Sequence, residues 1–282
     1  MVSHRSLAVL LLLAGLPPPV YAEPPSLTRV ENLVAKLDQT PAPDPVSIRE
    51  DFRKLVAEDP SVLPVLTERI PAAKRFTSMA VLADTVAAAG YRPAAPALVQ
   101  AMKRYAAPLW ALRTQGYDAE ASTLAALRSL AGPETVPVLR EALFDEHARP
   151  EARRRFLEVL MNLDTPEALA TIQGFRRSTE DGDGPNPKVE LDFASSTPEE
   201  EEIAHAVERD LKIFKLTDGE KAPVYRLRRN WVGPDGVEKN AQLMTLGELR
   251  YTLFVPYHGY RLTLRPYRGA WIVTERSLAW IA

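Results

Sequence analysis

The sequence predicts an α-solenoid of helix pairs followed by a small α+β unit, and three observations carry the prediction. Four short segments resemble one another: Leu63-Pro64-Val65-Leu66, Ala95-Pro96-Ala97-Leu98, Val136-Pro137-Val138-Leu139 and Leu169-Ala170-Thr171-Ile172. Their last residues are spaced by 32, 41 and 33, and each lies in the second half of a pair of apolar, helix-period segments. A period of about 30 to 47 residues built from paired helices is the mark of a helical repeat array. Beyond residue 198 the apolar period switches from a helical one to two, as a sheet requires.

Residues 1–22 read as an export signal. Arg5 precedes the apolar run Leu7 to Leu16, and Val20-Tyr21-Ala22 ends in a small-x-small cleavage pattern, so cleavage is expected after Ala22. The run is shorter than the roughly 20 residues that span a bilayer. The remaining chain has no other apolar stretch of that length and no cysteine, which excludes disulfides and thiolate metal sites. Arginine outnumbers lysine 26 to 9, and alanine and proline are abundant. That bias points to a bacterial protein of the periplasm or the exterior. Loss of Arg5 moves the net charge from −2 to −3, so the whole molecule is no polyanion binder.

Residues 23–45 comprise a helix capped by Ser26, with Val30, Leu33, Val34 and Leu37 on one face, then a stiff spacer at Pro41, Pro43 and Pro45. The array is expected over 46–179. Its first pair uses Ile48, Phe52 and Leu55, then Val62, Leu66 and Ile70; its second, Phe76, Met79, Ala83 and Val86, a break at Gly90, then Leu98 and Met102. The third has Leu124, Leu127 and Leu130, a break at Gly132-Pro133, then Leu139 and Leu143. The fourth has Phe156, Val159 and Leu160, a break at Asp164-Thr165-Pro166, then Leu169, Ile172 and Phe175. Proline early in each second helix sits where its missing N–H costs nothing.

The segment Gly132-Pro133-Glu134-Thr135-Val136-Pro137-Val138-Leu139-Arg140-Glu141-Ala142-Leu143 resembles the turn and second helix of a bacterial HEAT repeat, and 46–177 as a whole resembles the HEAT and armadillo-type repeat family. The resemblance implies a scaffold that binds a protein partner on the surface lined by second helices. The polar candidates there are Gln100, Lys103, Arg140, Gln173 and Arg176. Eight or nine extra residues around Ala107 to Asp118 hold Trp110, either an exposed partner anchor or a plug between two repeats. Arg153-Arg154-Arg155 reads as a solvated helix face.

Residues 180–197 are expected to be a flexible acidic linker: Glu180 to Glu202 holds nine acids and a single lysine. Its Asp181-Gly182-Asp183-Gly184 lacks the fifth- and sixth-position residues of a calcium loop. A small α+β domain, 198–282, follows. Its helix has Ile203, Val207, Leu211 and Phe214 on one face. Four antiparallel strands then centre on Tyr225–Trp231, Leu249–Val255, Tyr260–Leu264 and Trp271–Val273. The order is similar in shape alone to cystatin-like and NTF2-like domains. Its outward sheet face carries Arg226, Arg228, Arg250, Arg261 and Arg265, suited to an anionic glycan or lipid, or to the chain's own acidic linker.

No HExxH, G-x-S-x-G or phosphate-loop pattern occurs, and His258 reads as a hairpin-tip residue. Glu201, His205 and Glu208 share a helix face but lie on its solvent side, and no metal, cofactor or catalytic residue is expected. The sequence therefore predicts a non-enzymatic exported binding or scaffold protein that engages a protein partner in the bacterial cell envelope, and no nucleic acid. The alternative is an anionic lipid- or glycan-binding module acting through the sheet.

Overall fold

A computed structural model describes residues 25–39, 44–104, 113–114, 117–180, 187–191, 198–214, 225–229, 249–255 and 258–281. The expected signal segment, Trp110 and its insertion tip, the calcium-like loop and the turn at Gly233-Pro234-Asp235-Gly236 all lie outside these residues.

The helical part runs α1 (Pro25–Leu37), α2 (Pro45–Glu58), α3 (Leu63–Ala72), α4 (Phe76–Ala88), α5 (Ala95–Arg104), α6 (Ala119–Leu130), α7 (Val136–Phe144), α8 (Pro150–Leu163) and α9 (Pro166–Glu180). Two very short strands, β1 (Arg113–Thr114) and β2 (Tyr117–Asp118), pair before α6. Local chemistry marks several of the helix boundaries. Asp44 accepts from the Val46 and Ser47 amides ahead of α2, with Pro45 in the first turn. One 3₁₀ turn recurs at the entry to α3, α5 and α7, over Pro60–Val62, Arg92–Ala94 and Pro133–Thr135. Gly90, at φ 63°, ends α4 with the Tyr91 amide donating to the Val86 carbonyl, a left-handed stop that favours glycine.

Packing follows a simple rule. α2, α4, α6 and α8 touch in series, and α3, α5, α7 and α9 do the same, so alternate helices form two rows. α1 packs against α2 and α4, and the pairs Arg29–Glu58 at 2.6 Å and Arg69–Glu31 at 2.5 Å join it to α2 and α3. It is thus packed on the helices that follow it, while Pro41 and Pro43 of the expected spacer lie outside the described residues. One apolar core runs through both rows from Val30 to Phe175.

The C-terminal part contains β3 (Val189–Leu191), α10 (Pro198–Ile213), β4 (Tyr225–Arg229), β5 (Leu249–Val255), β6 (His258–Tyr267) and β7 (Ala270–Ile281). The sheet order is β3-β4-β5-β6-β7. The expected four-stranded antiparallel sheet is corrected to five strands, because Val189–Leu191, inside the supposed flexible linker, pairs in parallel with Tyr225–Leu227. The apolar side chains of Val189 and Leu191 against α10 explain why an acidic stretch holds a strand. His258 belongs to β6, opposite Val255 and Ile281, not to a loop tip. α10 buries Ile203, Val207 and Leu211 against Leu227, Leu253, Leu262 and Val273, a second core.

The two parts are packed together. Phe214 and Ile272 enter the helical core, and α8 touches β7. Asp164 meets Arg268 at one end of α8 and Arg155 meets Glu275 toward the other, so the helix runs antiparallel beside this edge strand and covers it.

Candidate functional site

The second-helix row offers the first candidate surface. Gln100 on α5, Arg140 on α7 and Gln173 on α9 are exposed, and Phe144 at the end of α7 is 38% exposed. Lys103 departs from expectation: it is largely covered and pairs with Asp145 at 2.6 Å, linking α5 to the end of α7. That bond and the His147 amide hold the Asp145 carboxyl below its ordinary value. Arg176 is half-buried and faces the junction with the C-terminal part.

The sheet is the second candidate. The register places Arg228, Thr252 and Arg261 in one cross-strand row and Arg250 opposite Thr263. Arg226 and Arg261 are exposed, whereas the side chains of Arg228 and Arg250 lie outside the described residues. Arg226 sits opposite Glu190 on β3. A bond from Lys188, and more weakly the field of Arg226, keep the Glu190 carboxyl low. Arg265 is half-buried, and its Nη1 donates to Asn162 Oδ1 at 2.6 Å, joining the sheet to α8.

The third is the junction itself, where the expectation for Arg153-Arg154-Arg155 is overturned. Arg154 is 1% exposed. Its Nε donates to Asp210 Oδ1 at 2.7 Å and its Nη2 to Oδ2 at 3.2 Å, a two-pronged bond from α8 to α10. Arg276 on β7 donates to the same carboxylate at 3.3 Å and to the Phe214 carbonyl at 2.7 Å. The Arg154 guanidinium stacks 4.5 Å from the Phe214 ring, and Arg153 lies 5.3 Å from both Phe175 and Phe214. Burial, then the charge of Arg154, push Arg276 down to about 10, and Asp210 opposes them. Arg155 reaches Glu158 and Glu275. Of a run that periodicity assigned to solvent, Arg154 is buried and Arg153 and Arg155 are partly covered, because the C-terminal part packs over α8.

At the rim of the junction, Asp164 adopts a left-handed backbone, φ 46°, in the α8–α9 turn. Its carboxylate accepts from Tyr267 Oη at 3.0 Å and from Arg268 Nε and Nη2 at 3.1 and 2.8 Å. Arg268 and Gly269 both have positive φ, the two-residue hairpin turn whose twist matches its strands. These bonds hold the Asp164 carboxyl below its ordinary value.

Between α8, α9, α10 and β7 lies a half-open cavity of about 40 Å³, walled by Leu157, Phe175, Phe214 and Trp271, with Arg176 and Arg209 also lining it. On α10, His205 Nδ1 lies 2.9 Å from Glu208 Oε2, while Glu208 Oε1 accepts the Val189 amide. Among the described residues no group of three His, Asp or Glu side chains is placed to hold a metal ion, and no helix is long and apolar enough to cross a membrane. No family model, no curated protein and no solved structure matches the chain.

Proposed function

We propose that the chain is a non-enzymatic, exported binding protein whose second-helix row, the outer face of a HEAT-like solenoid, holds a protein partner in the bacterial cell envelope. The observation that carries this reading is the two-row packing of alternate helices, with a proline-containing 3₁₀ entry before three second helices. Such an array buries each unit against its neighbours and leaves an extended lateral surface. Gln100, Arg140 and Gln173 lie exposed along it. Lys103 is better assigned to bracing the row through Asp145 than to contacting the partner.

A second reading assigns an anionic glycan or lipid headgroup to the sheet, favoured by the row of Arg228, Thr252 and Arg261. It is weakened by the use of Arg265, Arg268 and Arg276 in bonds to Asn162, Asp164 and Asp210. The test is a crosslinking capture from native envelope with the full chain, its Gln100→Glu/Arg140→Glu variant and its Arg226→Glu/Arg261→Glu variant. The row reading expects a protein that is lost only with the first variant. Retention of a lipid or glycan, and of no protein, abolished only by the second variant, would replace it with the sheet reading.

A further inference from the structure

The outer faces of α7 and α9, the last two second helices, separate their charges by sign. Glu134 and Glu167 stand exposed at the entries to the two helices, and Pro137 and Ala170 follow one turn on, also exposed. Further along lie the exposed Arg140 and Arg177. None of these four charged side chains forms an ion pair among the described residues.

Helix phase assigns each neighbouring side chain to one flank of α7. Asp145, one turn beyond Glu141, reaches Lys103 on α5. Phe144, one turn beyond Arg140, meets the Phe175 ring of α9 edge-on, with centroids 5.4 Å apart. Residues four apart share a helix face. Glu141 therefore lies toward α5, whereas Arg140 and the exposed Phe144 lie toward α9. Two residues after the repeat's buried aliphatic residue stand Glu68, Gln100 and Glu141, all exposed, and in the last unit Gly174. As Glu141 faces back toward α5, its counterpart Gly174 faces back toward α7. A methyl group at Gly174 would meet nothing within 4 Å, so packing within the chain does not call for glycine there. Glycine inside a helix costs stability relative to alanine. What it leaves is a bare stretch in the groove between α7 and α9, open to the close approach of another backbone.

We propose that this groove seats an amphipathic helix of the protein partner, antiparallel to α7 and α9. That helix carries carboxylates in its first turn, small or aliphatic side chains over Gly174 and Phe144, and lysine or arginine in its last turn. The assignment rests on the reading of the chain as a protein-binding array and names the chemistry of what it binds. Charge complementarity sets the direction, with the acidic end at Arg140 and Arg177 and the basic end at Glu134 and Glu167. A helix's own dipole favours the same order of charges. From Glu134 to Phe144 the groove runs about 15 Å, or three helical turns, enough for anchors at i, i+3 or i+4 and i+7.

The probe is a capped peptide of about 14 residues, with glutamates in its first turn, leucines at helical spacing and lysines in its last turn. It is titrated into the full chain while the Gly174 amide is followed by NMR, and a saturable shift is expected. A companion peptide with lysines at both ends binds about tenfold weaker, and regains affinity for the chain carrying Arg140→Glu with Arg177→Glu. Gly174→Ala raises the melting temperature yet weakens the first peptide. Gly174→Leu weakens it by about tenfold or more with the helical circular dichroism unchanged.

No saturable shift at millimolar peptide overturns the assignment, as do equal affinities of the two peptides or full affinity of Gly174→Leu. If envelope capture depends on Gln100 and Arg140 yet survives Gly174→Leu, the groove alone is wrong. If the peptide binds with these dependences while capture recovers no protein, the row reading falls and the groove stands.

Discussion

Arg154 is the residue on which the junction turns. A buried guanidinium bonded by two nitrogens to Asp210 resists replacement, because losing one partner strands charge in a low-dielectric seam. Arg154→Leu is expected to cost about 3 kcal/mol in urea unfolding. Arg154→Lys should recover little of it, since an ammonium lacks the planar fork. Asp164 works at the surface and is screened, so its signature is in pH rather than in stability. Its carboxyl is held low by Arg268 and Tyr267. The bond therefore contributes fully above the unfolded value of about 3.9, and is lost as pH falls through the lower folded value. Followed by NMR, the Arg268 Nε–H signal should persist through pH 3.9 and vanish only below it. In Asp164→Asn it should show no acid transition.

At the scale of elements, periodicity and turn chemistry located most of the fold. The helix pairs, the stop at Gly90, the alternation in β5 and β6 and the Arg268-Gly269 hairpin were legible because each is a local rule about spacing or φ. β3 was not, because three residues within an acidic stretch give no period, and Val189 and Leu191 gain their burial only from α10 and β4. The arginine run of α8 misled for the same reason: Asp210, which holds Arg154, is 56 residues away, and Glu275, which Arg155 meets, is 120. Of the candidate site, the exposed Gln100, Arg140 and Gln173 were readable from helix phase, whereas the cavity was not, since its walls come from four separate elements. Glu208 has a particular part in holding β3: it satisfies the Val189 amide on the edge strand. Glu208→Ala should speed hydrogen exchange at Val189 by about fivefold, the cost of one lost bond. Exchange in β5 and β6 should not change.

For the whole molecule, the C-terminal part packs on the last two helices of the helical part, α8 and α9. Phe214 joins the helical core and stacks near Phe175, with ring centroids 6.0 Å apart. A helical array needs a terminal unit that closes its last apolar face. A chain ending at residue 197 is therefore expected to leave Phe175 and Leu157 uncovered and to self-associate on size-exclusion chromatography with light scattering. The full chain should unfold in one transition followed at both helix and sheet signals. Two separated transitions would show that the shared core does not couple the parts.

The position of β7 has a consequence for how the protein is made. It is the strand that lies along α8, and in the hairpin that leads into it Tyr267 and Arg268 grip a turn more than a hundred residues upstream. Synthesis proceeds from the N-terminus, so Arg154 on α8 emerges 56 residues ahead of Asp210, the carboxylate that it grips. The buried guanidinium of Arg154 thus has no carboxylate to meet before α10 is made, and α8 reaches its final surroundings only once β7 lies along it.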